Sequence, residues 1–335
     1  MSSKLLERVQ RLTAIWGPSG REQKVAAALE EIIAPFVDEV RYDRFGNLLA
    51  IRRGKEGGSR VLLSAHMDTA GALALNVSEK GLIYLAPVGG FKAHHAVGQR
   101  VVWGSGVVGV LQHEHAEEAK EIELKRLFCD IGAASREEAL ENVALGDMCT
   151  FVADTQVMGD LIVAPGLDNR AGCAVLLEVA EHLAQTDHEV IFAFTSQGEV
   201  APRGSGVAAY GAEPDIAFVV DTAPSGDIPK APRAGTQLGS GAALKLKDGG
   251  YVAHHGVAGL VQGVAEEQAI PLQLEISAGA GEAQVVTSAG LGVPTAVIDI
   301  PVRYRATAGE MVNLRDLHGA ADLLLKLLGS PLSLS

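Results

Sequence analysis

Short apolar runs with the composition of buried β-strands alternate with helix-like segments along most of this chain. Residues 60–66, 190–194 and 215–220 are such runs, and a helical pattern over 169–183 separates the first from the second. Runs that are apolar at successive positions are typical of strands buried on both faces. Strands joined by helical crossovers form a parallel or mixed sheet covered by helices. The sequence therefore predicts an α/β domain with a mixed sheet between helix layers.

The segment from residue 70 to residue 161 interrupts this alternation. Its strand-like runs are short and separated by glycines, and one helix is predicted near Ser135–Glu141. This pattern indicates a small β-rich domain, residues 70–161, inserted into an α/β domain made of residues 1–69 and 162–335. A chain of 335 residues also exceeds the usual size of one hydrophobic core, which favours two domains.

Charge and cysteine content exclude several functional classes. The chain has 28 Lys and Arg against 41 Asp and Glu, a net charge of −13, which disfavours a nucleic-acid or anionic-membrane surface. The N-terminal segment spaces its apolar residues along one helical face between charges and has no uninterrupted apolar stretch, so we expect neither a signal peptide nor a membrane span. Cys129, Cys149 and Cys173 are too few and too dispersed for a disulfide framework. We expect a cytoplasmic protein with no nucleic-acid or membrane partner.

Four potential metal ligands stand where predicted strands end or helices begin: His66, Asp168, Glu199 and Asp221. In open α/β sheets, ligands bind just beyond the carboxyl ends of the strands. Imidazole and carboxylate groups without thiolates suit Zn²⁺, Co²⁺ or Mn²⁺. Asp68, two residues after His66, is placed to orient a metal-binding imidazole. Helix capping by Asp168 and a simple strand-end role for His66 remain open as alternatives.

Other motifs carry less weight. Residues 104–109, "GSGVVG", match the G-x-G-x-x-G pattern of dinucleotide loops. No long helix follows them, so a turn or bulge is favoured. The adjacent histidines His94 and His95, like His254 and His255, are interpreted as solvated loop residues rather than a metal site.

The chain carries several distinctive stretches in order over nearly its whole length, among them "SAHMD", "GLDNRAGCAVLLE", "FTSQGEVAPRG", "DTAPSGDIP" and "GVPTAVIDIPVRY". The sequence resembles the tetrahedral (TET) or glutamyl aminopeptidase family of di-metal peptidases, also labelled endoglucanases. This resemblance implies a zinc-exopeptidase-like α/β domain, a PDZ-like dimerisation domain, homo-oligomers from dimer to dodecamer, and peptides or related small amides as substrates.

The resemblance also assigns roles to the four potential ligands. His66, Asp168 and Asp221 match the ligands of the first metal, and Asp168 bridges to the second. Glu199 matches a ligand of the second metal. Asp68 matches the carboxylate behind His66.

The chain departs from the family pattern at catalytic positions. Gly198 stands where the family has a glutamate that acts as general base, and Ala306 stands where it has a histidine ligand of the second metal. Glu282 replaces an aspartate that helps to receive the substrate amine. Arg303 is predicted to bind substrate together with Glu282.

These departures leave two hypotheses for function. In the first, the protein is an aminopeptidase-like metallohydrolase with impaired or altered catalysis. It uses one Zn²⁺, Co²⁺ or Mn²⁺ ion rather than two, with Glu199 as the base. A positioned base typically contributes ~10²–10⁴-fold in rate. In the second, Glu199 is a vestige, and the protein is an inactive homologue that serves as a binding or assembly subunit. A glycosidase needs two carboxylates that flank a sugar cleft, and the sequence offers no sign of them.

Overall fold

The structure, a computed structural model, describes residues 4–55, 57–90, 93–115, 122–231 and 235–332. Within these ranges the strands, in chain order, are β1 (Glu39–Tyr42), β2 (Leu48–Arg52), β3 (Arg60–His66), β4 (Gly71–Val77), β5 (Ile83–Val88), β6 (Arg100–Trp103), β7 (Val108–His113), β8 (Leu127–Asp130), β9 (Met148–Phe151), β10 (Gln156–Met158), β11 (Leu161–Ala164), β12 (Glu189–Thr195), β13 (Ile216–Pro224), β14 (Ala242–Lys247), β15 (Leu272–Ile276), β16 (Thr295–Val302) and β17 (Glu310–Asn313). The α-helices of the same ranges are α1 (Lys4–Thr13), α2 (Gln23–Ile33), α3 (Ala93–Ala96), α4 (Arg136–Asn142), α5 (Leu167–His182), α6 (Arg203–Ala212), α7 (His255–Glu267), α8 (Ala283–Val286) and α9 (Leu314–Leu328).

A mixed sheet forms the centre of the larger domain. Its strand order is β1-β2-β12-β3-β13-β16-β14-β15. The four central strands β12, β3, β13 and β16 are parallel, whereas β2 pairs antiparallel with β12 and β14 antiparallel with β16. Parallel neighbours place their carboxyl ends at the same edge. The polar residues that follow these strands are therefore brought to one side of the sheet.

Helices cover both faces of this sheet, which confirms the predicted mixed sheet between helix layers. Strand residues alternate between two apolar clusters because successive side chains point to opposite faces. Leu63 and Phe192 pack on one face, in a cluster that includes residues of α1, α2, α5, α7 and α9. Leu62 and Ile191 pack on the other face, with residues of α6 and α8. The helix α5 is buried along most of its length. A sheet covered on both sides explains the uninterrupted apolar runs of the sequence.

A separate small β-rich domain is also confirmed, whereas its predicted limits, residues 70–161, remain a prediction. The strands β4, β5, β8, β7, β6 and β9 close into an antiparallel barrel. Its own apolar core includes Trp103, Leu111, Cys129 and Cys149. The next strands along the chain, β10 and β11, pair instead with β17 in a separate three-stranded sheet. In the part of the chain that the structure describes, no helix has the length and apolar character needed to cross a bilayer.

Candidate metal centre

Three of the predicted ligands converge at the carboxyl edge of the parallel strands. His66 is the last residue of β3, Asp221 lies in the neighbouring strand β13, and Asp168 lies in the first turn of α5. All three side chains are buried. The backbone of Asp168 departs from helical φ and ψ, so the regular part of α5 begins after it. The sheet and the start of this helix therefore fix the three side chains around one point.

The distances within this cluster suit a single divalent ion. His66 Nε2 lies 3.5 Å from Asp168 Oδ1 and 4.0 Å from Asp221 Oδ1. One ligand atom of each residue lies within 4.8 Å of the others. Tetrahedral coordination with bonds of ~2.0–2.1 Å separates ligand atoms by roughly 3.4 Å. One imidazole and two carboxylates are also an ordinary ligand set for Zn²⁺ or Co²⁺. The residues present therefore fit the first metal that the resemblance implies.

Asp68 lies behind His66 and is held in place from several directions. Its Oδ1 is 3.3 Å from His66 Nδ1 and accepts a 2.8 Å hydrogen bond from the backbone N–H of Gly198. Its Oδ2 accepts hydrogen bonds from the N–H of Glu199 at 3.0 Å and from the Ser19 hydroxyl at 2.5 Å. Burial acts to raise the pKa of Asp68, but these contacts, led by the one with His66, keep it below its ordinary value. A fixed carboxylate in this place orients the imidazole.

The carboxylates around His66 give the cluster a negative potential. Burial alone would lower the pKa of His66, yet Asp168 and Asp68 raise it well above its ordinary value. A site that stabilises positive charge on a buried imidazole is electrostatically suited to a cation.

Glu199 stands beside the cluster rather than within it. It is partly buried in the loop that follows β12, and it lines a cavity together with His66 and Asp168. Burial and the neighbouring charge of Asp168 raise its pKa to about 8. The three-residue cluster that meets the metal-ligand spacing does not include it. The assignment of Glu199 as a metal ligand or a base remains a prediction.

Gly198 packs directly against the imidazole of His66. A Cβ atom on Gly198 would lie 2.4 Å from both Cβ and Cγ of His66. The missing side chain therefore does more than remove a carboxylate. It creates the space in which His66 sits, so that the two positions are sterically coupled.

The segment after β16 brings a cation to the site in place of an imidazole. The Nε–H of Arg305 donates a hydrogen bond to Asp168 Oδ2. The next residue, Ala306, contributes its backbone N–H to Glu310 Oε1 at 2.7 Å. Glu310 also accepts from the N–H of Asp168 at 3.0 Å, and burial together with the charge of Asp168 raises its pKa to about 8. Arg305 and Glu310 were not identified from the sequence.

The two predicted substrate-binding residues have different surroundings. Glu282 is buried just before α8 and accepts a hydrogen bond from the Thr195 hydroxyl. Burial raises its pKa to about 7, against the opposing influence of His66. The guanidinium of Arg303 instead makes a two-point ion pair with Asp227, at 2.8 and 2.5 Å. The charge of His66 therefore acts on the carboxyl group of Glu282. The guanidinium of Arg303, in contrast, already has Asp227 as its partner.

Two cavities open onto Asp168, Glu199 and Ala306. One, of about 250 Å³, is also lined by apolar groups that include Trp16 and Phe151. The other, of about 370 Å³, is also lined by Arg305 and by His95 from the short helix α3 of the inserted segment. His95, interpreted from the sequence as a solvated loop residue, therefore borders the site. No local pattern marks it, because its place depends on how the inserted domain packs.

Comparison with known proteins gives consistent matches over the whole fold. The family model for M42 glutamyl aminopeptidase matches residues 46–323. A putative aminopeptidase of Acetivibrio thermocellus is 38% identical over 325 residues, covering 96% of this chain and 98% of that protein. The structure of aminopeptidase APDkam598 from Desulfurococcus kamchatkensis is 32% identical with a TM-score of 0.94, covering 98% of this chain and 95% of that one. The Pyrococcus horikoshii TET1 peptidase, which can assemble into a tetrahedron or a large octahedral shell, is 29% identical with a TM-score of 0.86, covering 97% and 99%.

Proposed function

Because the chain belongs to the M42 glutamyl aminopeptidase family, we propose that it is an aminopeptidase-like metallohydrolase whose catalysis is altered from the usual family scheme. Its substrates are peptides with a free N-terminus or related small amides. The observation that carries this proposal is the convergence of His66, Asp168 and Asp221 at the carboxyl edge of the sheet. A site with only a structural histidine would not need two further buried carboxylates around it.

These three residues would hold one Zn²⁺ or Co²⁺ ion, with Mn²⁺ as a further candidate. When bound, such an ion polarises the scissile carbonyl and lowers the pKa of a water molecule in the site. Asp68 keeps the imidazole of His66 in one orientation, which supports this role.

Glu199 is the proton acceptor in this proposal. It is the carboxylate that borders the cavity next to Asp168 without belonging to the ligand cluster. The neighbouring Gly198 carries no side chain that could perform the same task. Buried Glu282 would receive the substrate amine, and Arg303 remains a predicted substrate contact.

Hydrolysis of a panel of aminoacyl-p-nitroanilides, with added Zn²⁺, Co²⁺ or Mn²⁺, tests this function. We expect metal-dependent turnover that EDTA abolishes and that Glu199→Gln lowers by ~10²–10⁴-fold. His66→Ala is the matched control for the metal, and it should lose both bound ion and activity. Turnover that survives EDTA or His66→Ala would contradict a metal-dependent mechanism.

A second candidate function is that of an inactive binding or assembly subunit. Two observations favour it: Gly198 has no side chain that could act as a base, and Ala306 has no imidazole that could bind a metal. This candidate predicts ordered assembly and metal uptake without turnover of any substrate in the panel. Activity that depends on Glu199 would exclude it.

We also propose that the protein forms a homo-oligomer, from a dimer up to a dodecamer, and is cytoplasmic. The likeness to a TET1 peptidase that forms closed shells supports assembly. The three cysteines are buried free thiols, in keeping with a reducing compartment. Light scattering coupled to size exclusion would measure the subunit number, and a monomer at micromolar concentration would refute assembly.

A further inference from the structure

The two oxygens of Asp168 have different partners. Oδ1 faces His66 Nε2 and accepts a 2.7 Å hydrogen bond from the Thr222 hydroxyl. Oδ2 accepts from Arg305 Nε. A carboxylate that bridges two metal ions offers one oxygen to each. Here the oxygen on the side away from His66 is already bound by a guanidinium.

The positive charge of Arg305 lies against the carboxylate of Asp168. Arg305 also lines the same cavity as His66 and Glu199. Asp168 is 2% exposed, so its pairing with Arg305 is shielded on one side from water. A guanidinium is charged at every accessible pH, whereas a bound metal can dissociate. A second divalent ion between Asp168 and Glu199 would be repelled by the fixed positive charge of Arg305.

The ligand set on this side is also poor for a metal. The family's second ion needs an imidazole where this chain has Ala306, whose contribution is a backbone N–H donated to Glu310. An N–H donor cannot coordinate a cation. Glu310 is in turn held by a second N–H, that of Asp168. The residues present therefore do not fit the second metal.

We propose that Arg305 is a built-in cation that takes the place of the second metal, so that each subunit binds one divalent ion. This inference rests on the proposed metallohydrolase site for the first ion and adds how its charge is balanced. Asp168 becomes a ligand of one ion and a partner of one guanidinium, rather than a bridge between two metals.

Metal content per chain tests this inference independently of turnover. The protein is stripped with a chelator, equilibrated with excess Zn²⁺, freed of unbound ion by gel filtration and assayed by mass spectrometry of the metal. All variants are prepared with and without His182→Ala. Glu178, Glu181 and His182 form a second group with ligand-like spacing on the surface of α5, where adventitious zinc would inflate the count.

In the His182→Ala background, we expect one Zn²⁺ per chain when no other residue is changed. Ala306→His in the same background should also bind one, because Arg305 remains. Removing the guanidinium as well, in Arg305→Ala/Ala306→His, should raise the count to two. Position 306 has φ of +60°, a region that histidine enters more readily than most residues. Thermal unfolding reports whether each variant is folded.

The possible results separate this inference from the proposed function. Two ions in the natural protein, or in Ala306→His alone, would overturn the role of Arg305 and leave the metallohydrolase intact. No bound ion would overturn the metal centre itself, and this inference with it. One ion in a folded Arg305→Ala/Ala306→His variant would also overturn the role of Arg305. If that variant fails to fold, Arg305→Gln/Ala306→His, which keeps a side chain of similar length without the charge, replaces it.

Discussion

Replacement of Gly198 by alanine should displace His66 and weaken metal binding. The added Cβ would lie 2.4 Å from Cβ and Cγ of His66 and 2.9 Å from its Cδ2. Carbon atoms in contact are normally ~3.5–4.0 Å apart, so the overlap exceeds 1 Å. The Cβ of His66 is one bond from the backbone of β3 and cannot rotate away. Either the strand end or the loop after β12 must move.

The size of the effect follows from what that movement breaks. Insertion of a methyl group into a well-packed site typically costs ~1–3 kcal/mol of unfolding free energy. A shift of the loop also loosens the two backbone N–H bonds that Gly198 and Glu199 donate to Asp68. Loss of such support behind a metal ligand typically lowers affinity ~10–100-fold. We therefore expect Gly198→Ala to bind Zn²⁺ ~10–100-fold more weakly and to lose ~1–3 kcal/mol of stability.

Isothermal titration with Zn²⁺ and urea unfolding of the metal-free protein measure the two effects. Gly263→Ala is the matched control, because a Cβ there meets no atom within 4 Å on the exposed side of α7. It should leave Zn²⁺ affinity unchanged and raise stability by ~0.5–1 kcal/mol. Wild-type affinity and stability in Gly198→Ala would refute the argument. By the same reasoning, Gly198→Glu restores the family's carboxylate only by displacing His66.

Three further predictions concern the orientation of His66, the stabilisation of the fold by bound Zn²⁺, and the pH dependence of stability. Asp68→Asn should weaken Zn²⁺ binding ~10–100-fold by titration, because the amide no longer fixes His66 as a carboxylate does; equal affinity would contradict this. Zn²⁺ at 100 times its dissociation constant should add ~2.7 kcal/mol of stability, seen as a higher melting temperature that EDTA reverses and His66→Ala lacks. Burial raises the pKa of Asp316 to about 6, against hydrogen bonds from Gly239 and Gly241. The folded state therefore holds this proton more tightly than the unfolded chain, so stability falls as pH rises from about 4 to about 6. Asp316→Asn should remove that part of the slope in unfolding measured across this range, and an unchanged slope would refute it.

The sequence was sufficient for the sheet and for the edge at which the site lies. Apolar runs such as 190–194 indicate burial on both faces, and their alternation with helices favours parallel neighbours within a mixed sheet. Once β3 and β13 are parallel neighbours, His66 and Asp221 must approach each other, since the register of the pairing fixes their separation. Local composition therefore specified the elements, and the geometry of a parallel sheet specified their meeting point.

The identity of the groups that complete the site depended on the tertiary structure. Arg305 donates a hydrogen bond to Asp168, 137 positions away in the chain, from the connection between β16 and β17. His95 borders the same cavity because the inserted domain packs beside it. In the sequence, Gly198 indicates only the loss of a carboxylate. In the fold, a side chain at this position would overlap with His66. Such contacts join side chains from separate elements, and no local pattern encodes them. The sequence determines which side chains stand at the end of each strand. Tertiary packing determines which charged groups and surfaces from other elements contact those side chains.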